Sequence, residues 1–413
     1  MVQQSSTAKY KAAVVGGTGY GGAELIRLLM AHPSVNLTRV SSIDSVDQTL
    51  ESVHLSMTDT GLTFEEIPLA EAASGVDVVF LGLPHKVSST LAPEIEPLAC
   101  KVIDLSGDFR LRSVEDYAKY YGQEHPHPDH LDGRWTFGLP EINREEIKKA
   151  NRVASPGCFA STIMIALLPL ANAGLLKGPV QTVAATGSSG SGTYAKQGTH
   201  HPIRANNLKS YKHLNHQHTP EITRILNEAM DRAGTKTDFK LHFMPRSAPM
   251  ARGILSTNFV RIDESVTDDQ IDAIYRDYYA DSAFVRVHGG VPGNGGRTAE
   301  VVAIKGSMWV DLSWAISEPD GFGGRQLAVD TALDNLVKGG AGQAVQSMNL
   351  MLGLPEREGI DAPAMWPCAR RRHRARPPSS SSGARSSRTR RGSSRYWARW
   401  PGLCAQGGAS CSA

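Results

Sequence analysis

The sequence predicts an α/β fold in which a doubly wound parallel sheet is accompanied by a second domain of α+β structure. Three observations predict it. A short apolar run at residues 12–15 enters a glycine-rich turn, after which apolar side chains recur at helical spacing over residues 25–29. Residues 76–83 and 101–105 have the apolar character of strands buried on both faces of a parallel sheet. The chain of 413 residues is also long enough for two or three domains.

The composition is that of a globular intracellular protein. Hydrophobic residues make up 40% of the chain and charged residues 21%, which argues against wholesale disorder. No apolar stretch approaches the ~18–20 residues of a membrane helix, and the polar residues 1–11 lack the apolar core of a secretion signal. Five cysteines in a chain of this length do not form a disulfide framework. We therefore expect a cytoplasmic protein without membrane association.

The charge is divided unevenly along the chain. Residues 368–413 carry eleven arginines and no Lys, Asp or Glu, which leaves a net charge of −8 on residues 1–367. A basic arm for nucleic acid or anionic lipid is one interpretation of such a segment. We favour a disordered basic tail over residues 367–413, because it lacks Ile and Val and its composition resembles an out-of-frame reading of a G/C-rich gene. We expect no specific nucleic-acid partner, and we look for the function before Trp366.

The glycine-rich turn predicts a dinucleotide site. Gly16, Gly19 and Gly22 are spaced by two residues each, between a strand and an amphipathic helix. Glycines in this context permit a tight turn and let backbone amides approach a pyrophosphate at the positive helix N-terminus, as in a Rossmann domain. The alternative is a tight turn without a ligand. The candidate cofactor contacts in this turn are Gly16, Thr18, Gly19, Tyr20, Gly21 and Gly22.

The end of the next strand, residues 36–41, is where the ribose of a dinucleotide is recognised. Asp44 is available for a 2′-hydroxyl, and Ser41 and Ser42 are available for a 2′-phosphate. Neither Arg nor Lys occurs over residues 40–53, so the local chemistry leaves both NAD and NADP open.

Two segments are candidates for the reaction itself. Arg110 follows the strand at residues 101–105, where side chains face a ligand crevice, although a surface charge is an equal alternative. Cys158 comes directly after a Pro-Gly turn and begins an apolar helix. The positive end of that helix favours a thiolate, so we interpret Cys158 as a nucleophile rather than a buried structural thiol.

Histidines cluster downstream of this cysteine, and a nucleophilic thiol needs a proton partner. His216 and His218 precede a helical pattern. His200 and His201 lie in a loop, where they could either bind a ligand or form structural hydrogen bonds. A His-x-His pair can bind zinc, but no second ligand pair accompanies it, so we expect no metal. The Gly/Ser loop at residues 187–192 could present amides to a phosphate or an oxyanion, or be a flexible turn.

A set of motifs in fixed order carries a resemblance. They are residues 16–25, 104–111, 137–141, 155–158, 187–192, 216–222, 250–254 and 334–346. Over residues 9–355 this set closely resembles the N-acetyl-gamma-glutamyl-phosphate reductase family, which is related to aspartate-semialdehyde dehydrogenase. Ser155, Phe159, Ala160 and Met308 depart from the family pattern.

The resemblance implies a mechanism. Cys158 would attack an acyl phosphate, expel phosphate and form a thioester, which NADPH would reduce to the semialdehyde. His216, preferred over His218, would be the acid/base. The family pattern implies cofactor contacts from Ser42, Ser189 and Gly190 and substrate contacts from Arg110, His200, Arg204, His218 and Arg252.

The resemblance also implies an architecture and leaves alternatives. The dinucleotide-binding domain would comprise residues 1–157 and 330–366, with a helix at 330–352 returning to it. The inserted α+β catalytic and dimerisation domain would comprise residues 158–329, in a dimer or tetramer. Three other enzymes are alternatives: a reductase of a carrier-linked aminoadipate phosphate, a reductase of N-succinylglutamyl phosphate, and aspartate-semialdehyde dehydrogenase. A non-catalytic dinucleotide sensor is the alternative of another class, against which Cys158 and His216 together argue.

Overall fold

The computed structural model describes residues 8–290 and 297–365, and the predictions made for the basic tail lie outside these residues. The first half of the chain forms a seven-stranded sheet. Its strands are β1 (Tyr10–Val15), β2 (Val35–Ser41), β3 (Phe64–Glu65), β4 (Val78–Leu81), β5 (Lys101–Asp104), β6 (Thr136–Phe137) and β7 (Arg152–Ala154). All neighbours are parallel, in the order β3-β2-β1-β4-β5-β7-β6. The chain reverses direction across the sheet between β1 and β4, so a ligand crevice is expected at their carboxyl ends.

Helices connect these strands. They are α1 (Tyr20–Met30), α2 (Leu50–Val53), α3 (Leu69–Ala72), α4 (Ala92–Ile95), α5 (Val114–Tyr121) and α6 (Pro140–Lys149). The predicted amphipathic helix after the glycine turn is α1, and it buries Leu25, Ile26 and Leu29 against the sheet. The doubly wound nucleotide-domain fold predicted from these patterns is therefore confirmed.

The second half forms another seven-stranded sheet, of mixed direction. Its elements are α7 (Cys158–Asn172), β8 (Gly178–Thr186), α8 (His201–Arg204), β9 (Lys209–Ser210), α9 (His218–Ala233), β10 (Phe239–Ser247), β11 (Ile254–Asp263), α10 (Asp268–Tyr278), β12 (Val285–Gly290), β13 (Val310–Ile316), β14 (Gly324–Leu333) and α11 (Gly342–Met351). The strand order is β12-β13-β14-β11-β8-β10-β9. Helices α7, α9 and α10 share one core with this sheet.

Helix α7 is apolar around nearly its whole circumference, because it lies in the middle of this core. Pro169 lies inside it and has no N–H to offer the carbonyl one turn earlier. The Tyr279 hydroxyl donates to that carbonyl, the Ile165 oxygen, at 2.5 Å. Tyr275 donates to the next one, Ala166, at 2.7 Å. Two tyrosines thus support the helix that carries Cys158.

The expectation of a helix over residues 330–352 is wrong at its beginning. Residues 330–333 are the last residues of β14, where Asp330 accepts a hydrogen bond from Thr257 on β11 at 2.6 Å. The chain then makes a wide π-type turn, Val337–Ala341, before α11 starts. Helix α11 contributes Val345 and Met348 to the core of the first sheet.

The segment between β4 and α4 is not a regular helix. Only a 3₁₀ turn, Ser88–Leu91, is present, because Lys86 has a positive φ of 76°. The buried Asp108 carboxylate accepts the N–H groups of Lys86 and Ser89 and pins this loop. Across the described ranges, no helix combines the length and apolar character needed to cross a membrane.

Candidate active site

One large cleft brings most of the predicted site residues together. It encloses about 1660 Å³ and lies where the carboxyl ends of β1 and β4 face α7 and the Gly/Ser loop. Fourteen of the sixteen predicted residues line it. They are Gly16, Thr18, Gly19, Tyr20, Gly21, Gly22, Ser42, Arg110, Cys158, Ser189, Gly190, Arg204, His216 and His218.

The glycines of the turn have different physical roles. Gly16 has a φ of 88°, which a side chain disfavours, and its N–H donates to the Ser41 carbonyl at 2.9 Å. A Cβ on Gly22 would lie 2.6 Å from the Gly17 oxygen, so Gly22 permits close packing of α1 on the turn. A Cβ on Gly19 would meet nothing within 4 Å. Gly19 therefore leaves open space at the start of the helix rather than relieving a clash.

The beginning of α1 fits a phosphate group. Gly19 is its N-cap and offers no side-chain cap, and its first turn contains no acidic residue. The first N–H groups of a helix lack intrahelical partners and carry the positive end of its dipole. Together with the open space at Gly19, they form a cradle of the kind that binds a dinucleotide pyrophosphate.

The residues expected to recognise the ribose already form hydrogen bonds within the protein. Ser42 accepts the Asp44 N–H at 3.1 Å, and both residues line the cleft. The Asp44 carboxylate accepts a hydrogen bond from the Tyr194 hydroxyl at 3.0 Å. Tyr194 belongs to the loop after β8, so this contact joins the two sides of the cleft.

Cys158 is the first residue of α7 and is half-buried. Burial raises the pKa of its thiol to about 11, although the Phe159 N–H and the charge of Arg110 act in the opposite direction. The helix N-terminus was expected to favour the thiolate, but in this structure burial outweighs that effect. The thiol therefore needs a base to act as a nucleophile near neutral pH.

Two histidines with lowered pKa values line the same cleft as Cys158. His216 precedes α9, and its Nδ1 accepts the N–H of His218 at 3.2 Å. Burial, and then the charge of Lys212, lower the pKa of His216 to about 3. Burial and the neighbouring His216 place the pKa of His218 well below its ordinary value. The His218 ring packs on Gly157 so closely that a methyl group there would overlap it.

Arg110 and Glu221 hold the turn before the cysteine. Arg110 is buried and donates from Nε to the Ser155 oxygen at 2.7 Å, and its Nη1 lies 3.8 Å from Glu221 Oε2. Glu221 Oε1 accepts the Gly157 N–H at 2.9 Å. The surface alternative for Arg110 is therefore wrong. Glu221 was not predicted as a site residue, although its carboxylate on the apolar face of α9 is a signal that could have indicated it.

Sequence reasoning missed other residues of the cleft, among them His85 and Tyr211. His85 follows β4, and its Nδ1 accepts the Gly107 N–H at 2.8 Å. Burial, and then the charge of Arg110, lower the pKa of His85 to about 4. Its position after a buried parallel strand could have identified it. Tyr211, whose ring centroid is 6.0 Å from that of His216, follows the two-residue strand β9 and gave no comparable signal.

Two predicted residues do not line the cleft. His200 is exposed at the start of α8. Arg252 forms ion pairs with Glu24 and Asp334, each at 3.1 Å, behind the cleft wall. Arg204 lines the cleft and donates to the Thr186 oxygen at 3.2 Å.

Within the described part of the chain, no group of three or more His, Cys, Asp or Glu side chains could hold a metal ion.

Comparison with known families gives two matches. Residues 11–150 match the model described as "Semialdehyde dehydrogenase, NAD binding domain". Residues 158–335 match "Semialdehyde dehydrogenase, dimerisation domain". Together the two matches cover most of the chain.

Several curated proteins are similar to it. The N-acetyl-gamma-glutamyl-phosphate reductase of Thermus thermophilus is 41% identical over 361 residues, covering 86% of this chain and 99% of that protein. The protein of that name from Methanosphaera stadtmanae is 38% identical and covers 87% of this chain and 99% of that protein. The [LysW]-L-2-aminoadipate 6-phosphate reductase of Deinococcus radiodurans is 35% identical, covering 86% and 97%.

Solved structures show the same fold at low sequence identity. Aspartate semialdehyde dehydrogenase II of Vibrio cholerae, complexed with ASA, has a TM-score of 0.61 and 16% identity, covering 84% of this chain and 98% of that one. Aspartate semialdehyde dehydrogenase with NADP from Candida albicans has a TM-score of 0.55 and 16% identity, covering 84% and 99%.

Proposed function

The chain belongs to the semialdehyde dehydrogenase family, within its group of N-acetyl-gamma-glutamyl-phosphate reductases, and we propose that it reduces N-acetyl-gamma-glutamyl phosphate to N-acetylglutamate 5-semialdehyde. One observation carries the proposal. Cys158 at the start of α7 shares a single cleft with two neutral histidines and with the glycine turn of α1. A nucleophile, a base and a dinucleotide cradle are the three parts that this reaction needs. We also propose a cytoplasmic enzyme, as the sequence predicts.

The first step is acyl transfer to Cys158. Its sulfur forms a bond to the acyl carbon, the bond between that carbon and the phosphate oxygen breaks, and inorganic phosphate leaves. Because burial raises the pKa of the thiol to about 11, a base must take its proton. His216 has this role in our proposal, and His218, whose ring packs beside Gly157, is the alternative within the pair. Arg110 and Glu221 keep the turn before Cys158 in place.

The second step reduces the thioester. NADPH, when bound, supplies the hydride that converts the thioester carbon to an aldehyde and frees the Cys158 sulfur. Gly19, the N–H groups of the first turn of α1, Ser42, Ser189 and Gly190 would hold it. The open space at Gly19 supports this assignment. His216 would then return its proton to the Cys158 thiolate.

A second candidate substrate is a carrier-linked aminoadipate phosphate. The relatives named [LysW]-L-2-aminoadipate 6-phosphate reductase are 35–38% identical, close to the values for the first group. The same cysteine chemistry would serve both substrates. The two substrates differ in the group on the amino nitrogen and in chain length, because aminoadipate has one more methylene than glutamate. Arg204, which lines the cleft, is the predicted residue that we assign to recognition of the nitrogen substituent.

The test is an assay in the reverse direction. N-acetylglutamate semialdehyde, phosphate and either NADP or NAD are mixed with the protein, and dinucleotide reduction is followed at 340 nm, the absorbance of the reduced nicotinamide. We expect phosphate-dependent reduction, faster with NADP. Aspartate semialdehyde and aminoadipate semialdehyde linked to its carrier are the comparison substrates. Turnover of one of these, without turnover of N-acetylglutamate semialdehyde, would overturn the substrate assignment.

The matched dimerisation domain supports a homo-oligomer. Strands β8, β10, β11 and β14 bury one face under α7 and α9 and leave side chains on the other face half-exposed. Among these side chains are Val183, Met244, Phe259 and Ala328. We propose that this face of the second sheet pairs with a second copy of the chain.

A further inference from the structure

Arg252 joins two buried carboxylates that belong to different halves of the molecule. Its Nη1 lies 3.1 Å from Glu24 Oε2 on α1, and its Nη2 lies 3.1 Å from Asp334 Oδ1, just after β14. Its Nε also donates to Asp334 Oδ2 at 3.1 Å. Glu24 and Asp334 are 5% and 0% exposed, so both carboxylates need charge compensation. Arg252 supplies it to Asp334, and at Glu24 it shares this role with Arg27.

Asp334 organises the turn that follows it. Besides Arg252, its carboxylate accepts the N–H groups of Leu336 at 2.9 Å and Gly306 at 2.7 Å. The neighbouring Asn335 donates to the Ser189 hydroxyl at 3.0 Å. The turn over residues 334–341 is therefore fixed at its start by Arg252 and is tied to the Gly/Ser loop of the cleft.

The same turn lies against the nucleophile. Gly339 faces Cys158 so closely that a Cβ on it would be 2.9 Å from the Cys158 Cβ. Helix α1, at the other end of the bridge, begins at the dinucleotide cradle. Arg252 thus connects the helix that would hold the cofactor to the turn that packs on the cysteine.

We propose that Arg252 is a positioning residue that sets the distance between the bound nicotinamide and the Cys158 sulfur. The inference rests on the proposed function, because the distance that Arg252 sets matters only if a bound nicotinamide reacts at Cys158. Glu24 and Asp334 bind different nitrogens of one planar guanidinium, which a single ammonium group cannot replace. Because a misplacement of about 1 Å can cost about a hundredfold in rate, the bridge matters even though it does not reach the cleft.

The experiment measures how well the dinucleotide shields the thiol. The rate of iodoacetamide alkylation at Cys158 is determined by mass spectrometry, without NADP and at saturating NADP, in the wild-type protein and in Arg252→Lys. The matched control is Arg27→Gln. Arg27 also pairs with Glu24, at 2.5 Å, but its side chain is 45% exposed and it does not contact Asp334. NADP affinity is measured separately by calorimetry.

We expect NADP to slow alkylation at least about tenfold in the wild type and in Arg27→Gln, because the bound nicotinamide covers the thiol. In Arg252→Lys we expect NADP to slow alkylation by less than about threefold. The alkylation rate without NADP and the Kd for NADP should both stay within about twofold of their wild-type values. If Arg252→Lys also lowers kcat for the reduction while KM for the acyl phosphate is unchanged, the loss lies in alignment.

Three outcomes would overturn the inference. One is wild-type protection in Arg252→Lys. Another is weaker NADP binding with protection restored at higher NADP, which would make Arg252 an affinity residue. The third is a change in alkylation without NADP, which would mean that the substitution disturbs the thiol itself. A wild-type protein that is protected by NADP but reduces no acyl phosphate would instead contradict the proposed function, so the two failures are distinguishable.

Discussion

At the scale of single residues, the reactivity of Cys158 depends on what surrounds it. Burial holds the thiol in its protonated form, and the buried Arg110 acts against that effect without reversing it. His216 and His218 are deprotonated near neutral pH because burial lowers their pKa. We propose that the proton moves from the Cys158 thiol to an imidazole of this pair when the substrate arrives, not before.

Cys158→Ser is expected to fold and to bind the dinucleotide while losing several orders of magnitude in turnover, because an alcohol is far less ionised than a thiol at neutral pH. Turnover and NADP affinity are measured on the same preparation. Cys100→Ser is the matched control, since Cys100 is also half-buried but does not line the cleft. An active Cys158→Ser protein would remove covalent catalysis from the mechanism.

The pH dependence of alkylation follows from the raised pKa of about 11. Below that pKa the thiolate fraction of Cys158 grows about tenfold per pH unit. In the protein without ligands, the alkylation rate by iodoacetamide should therefore rise continuously between pH 7 and pH 9. A plateau at or below pH 8 would mean that the thiolate is already formed, as the helix N-terminus alone would favour.

The two histidines can be separated by substitution. His216→Asn should lower kcat/KM by about 10²–10⁴-fold, the usual contribution of a positioned acid/base. Because the pKa of His216 is lowered to about 3, the wild-type profile should show no loss of activity near pH 6.5 from this group. If His218→Asn reduces the rate by this amount and His216→Asn does not, the roles within the pair are reversed.

The sequence placed residues with a clear local signal in the cleft correctly, whereas it did not predict the positions of residues that long-range contacts fix. Cys158 follows a Pro-Gly turn, which marks the start of a helix in the sequence itself. Arg252 carries no such mark, because its direction is decided by Glu24 and Asp334, which are distant in the chain. His200 was grouped with the site histidines by proximity in sequence, but α8 leaves it exposed.

At the scale of elements, different glycines of the turn between β1 and α1 are needed for packing and for cofactor binding. Gly22→Ala is expected to lower Tm, since its Cβ would lie 2.6 Å from the Gly17 oxygen. Gly19→Ala has open space and should keep the wild-type Tm, but it should weaken NADP binding because the methyl group occupies the phosphate cradle. Calorimetry of unfolding and of binding measures both. Equal NADP affinity in Gly19→Ala and wild type would mean that the phosphates bind elsewhere.

The strands and helices of the first sheet were predictable because buried parallel strands have a strong apolar pattern. The helix expected over residues 330–352 failed for a specific reason. Asp330 lies in a strand although it is polar, and its carboxylate is stabilised there by a hydrogen bond from Thr257. The π-type turn at Val337–Ala341 produces no regular spacing of apolar residues that the sequence could reveal. The loop after β4 takes its conformation from a residue further along the chain, because the buried Asp108 accepts two of its backbone N–H groups.

At the scale of the whole molecule, the half-exposed face of the second sheet is the expected contact between copies. Phe259 lies in the middle of β11, opposite Ala328 on β14 and Gln181 on β8. Phe259→Arg should convert the oligomer to monomers, because a charge cannot be buried there without a partner. Light scattering after size exclusion measures the mass. Glu264→Arg, an exposed position beyond the end of β11, is the control and should remain oligomeric.

The contact between Gly339 and Cys158 has a consequence for how the chain tolerates change. Helix α7 begins at Cys158, and the chain returns to the same point at Gly339, after the last strand of the second sheet. Residues 158–339 therefore form a closed loop, and the entropy of closing a loop rises by only about 0.6 kcal/mol when its length doubles. We therefore expect insertions and deletions in the loops between the outer strands to leave α11 in its place beneath the first sheet.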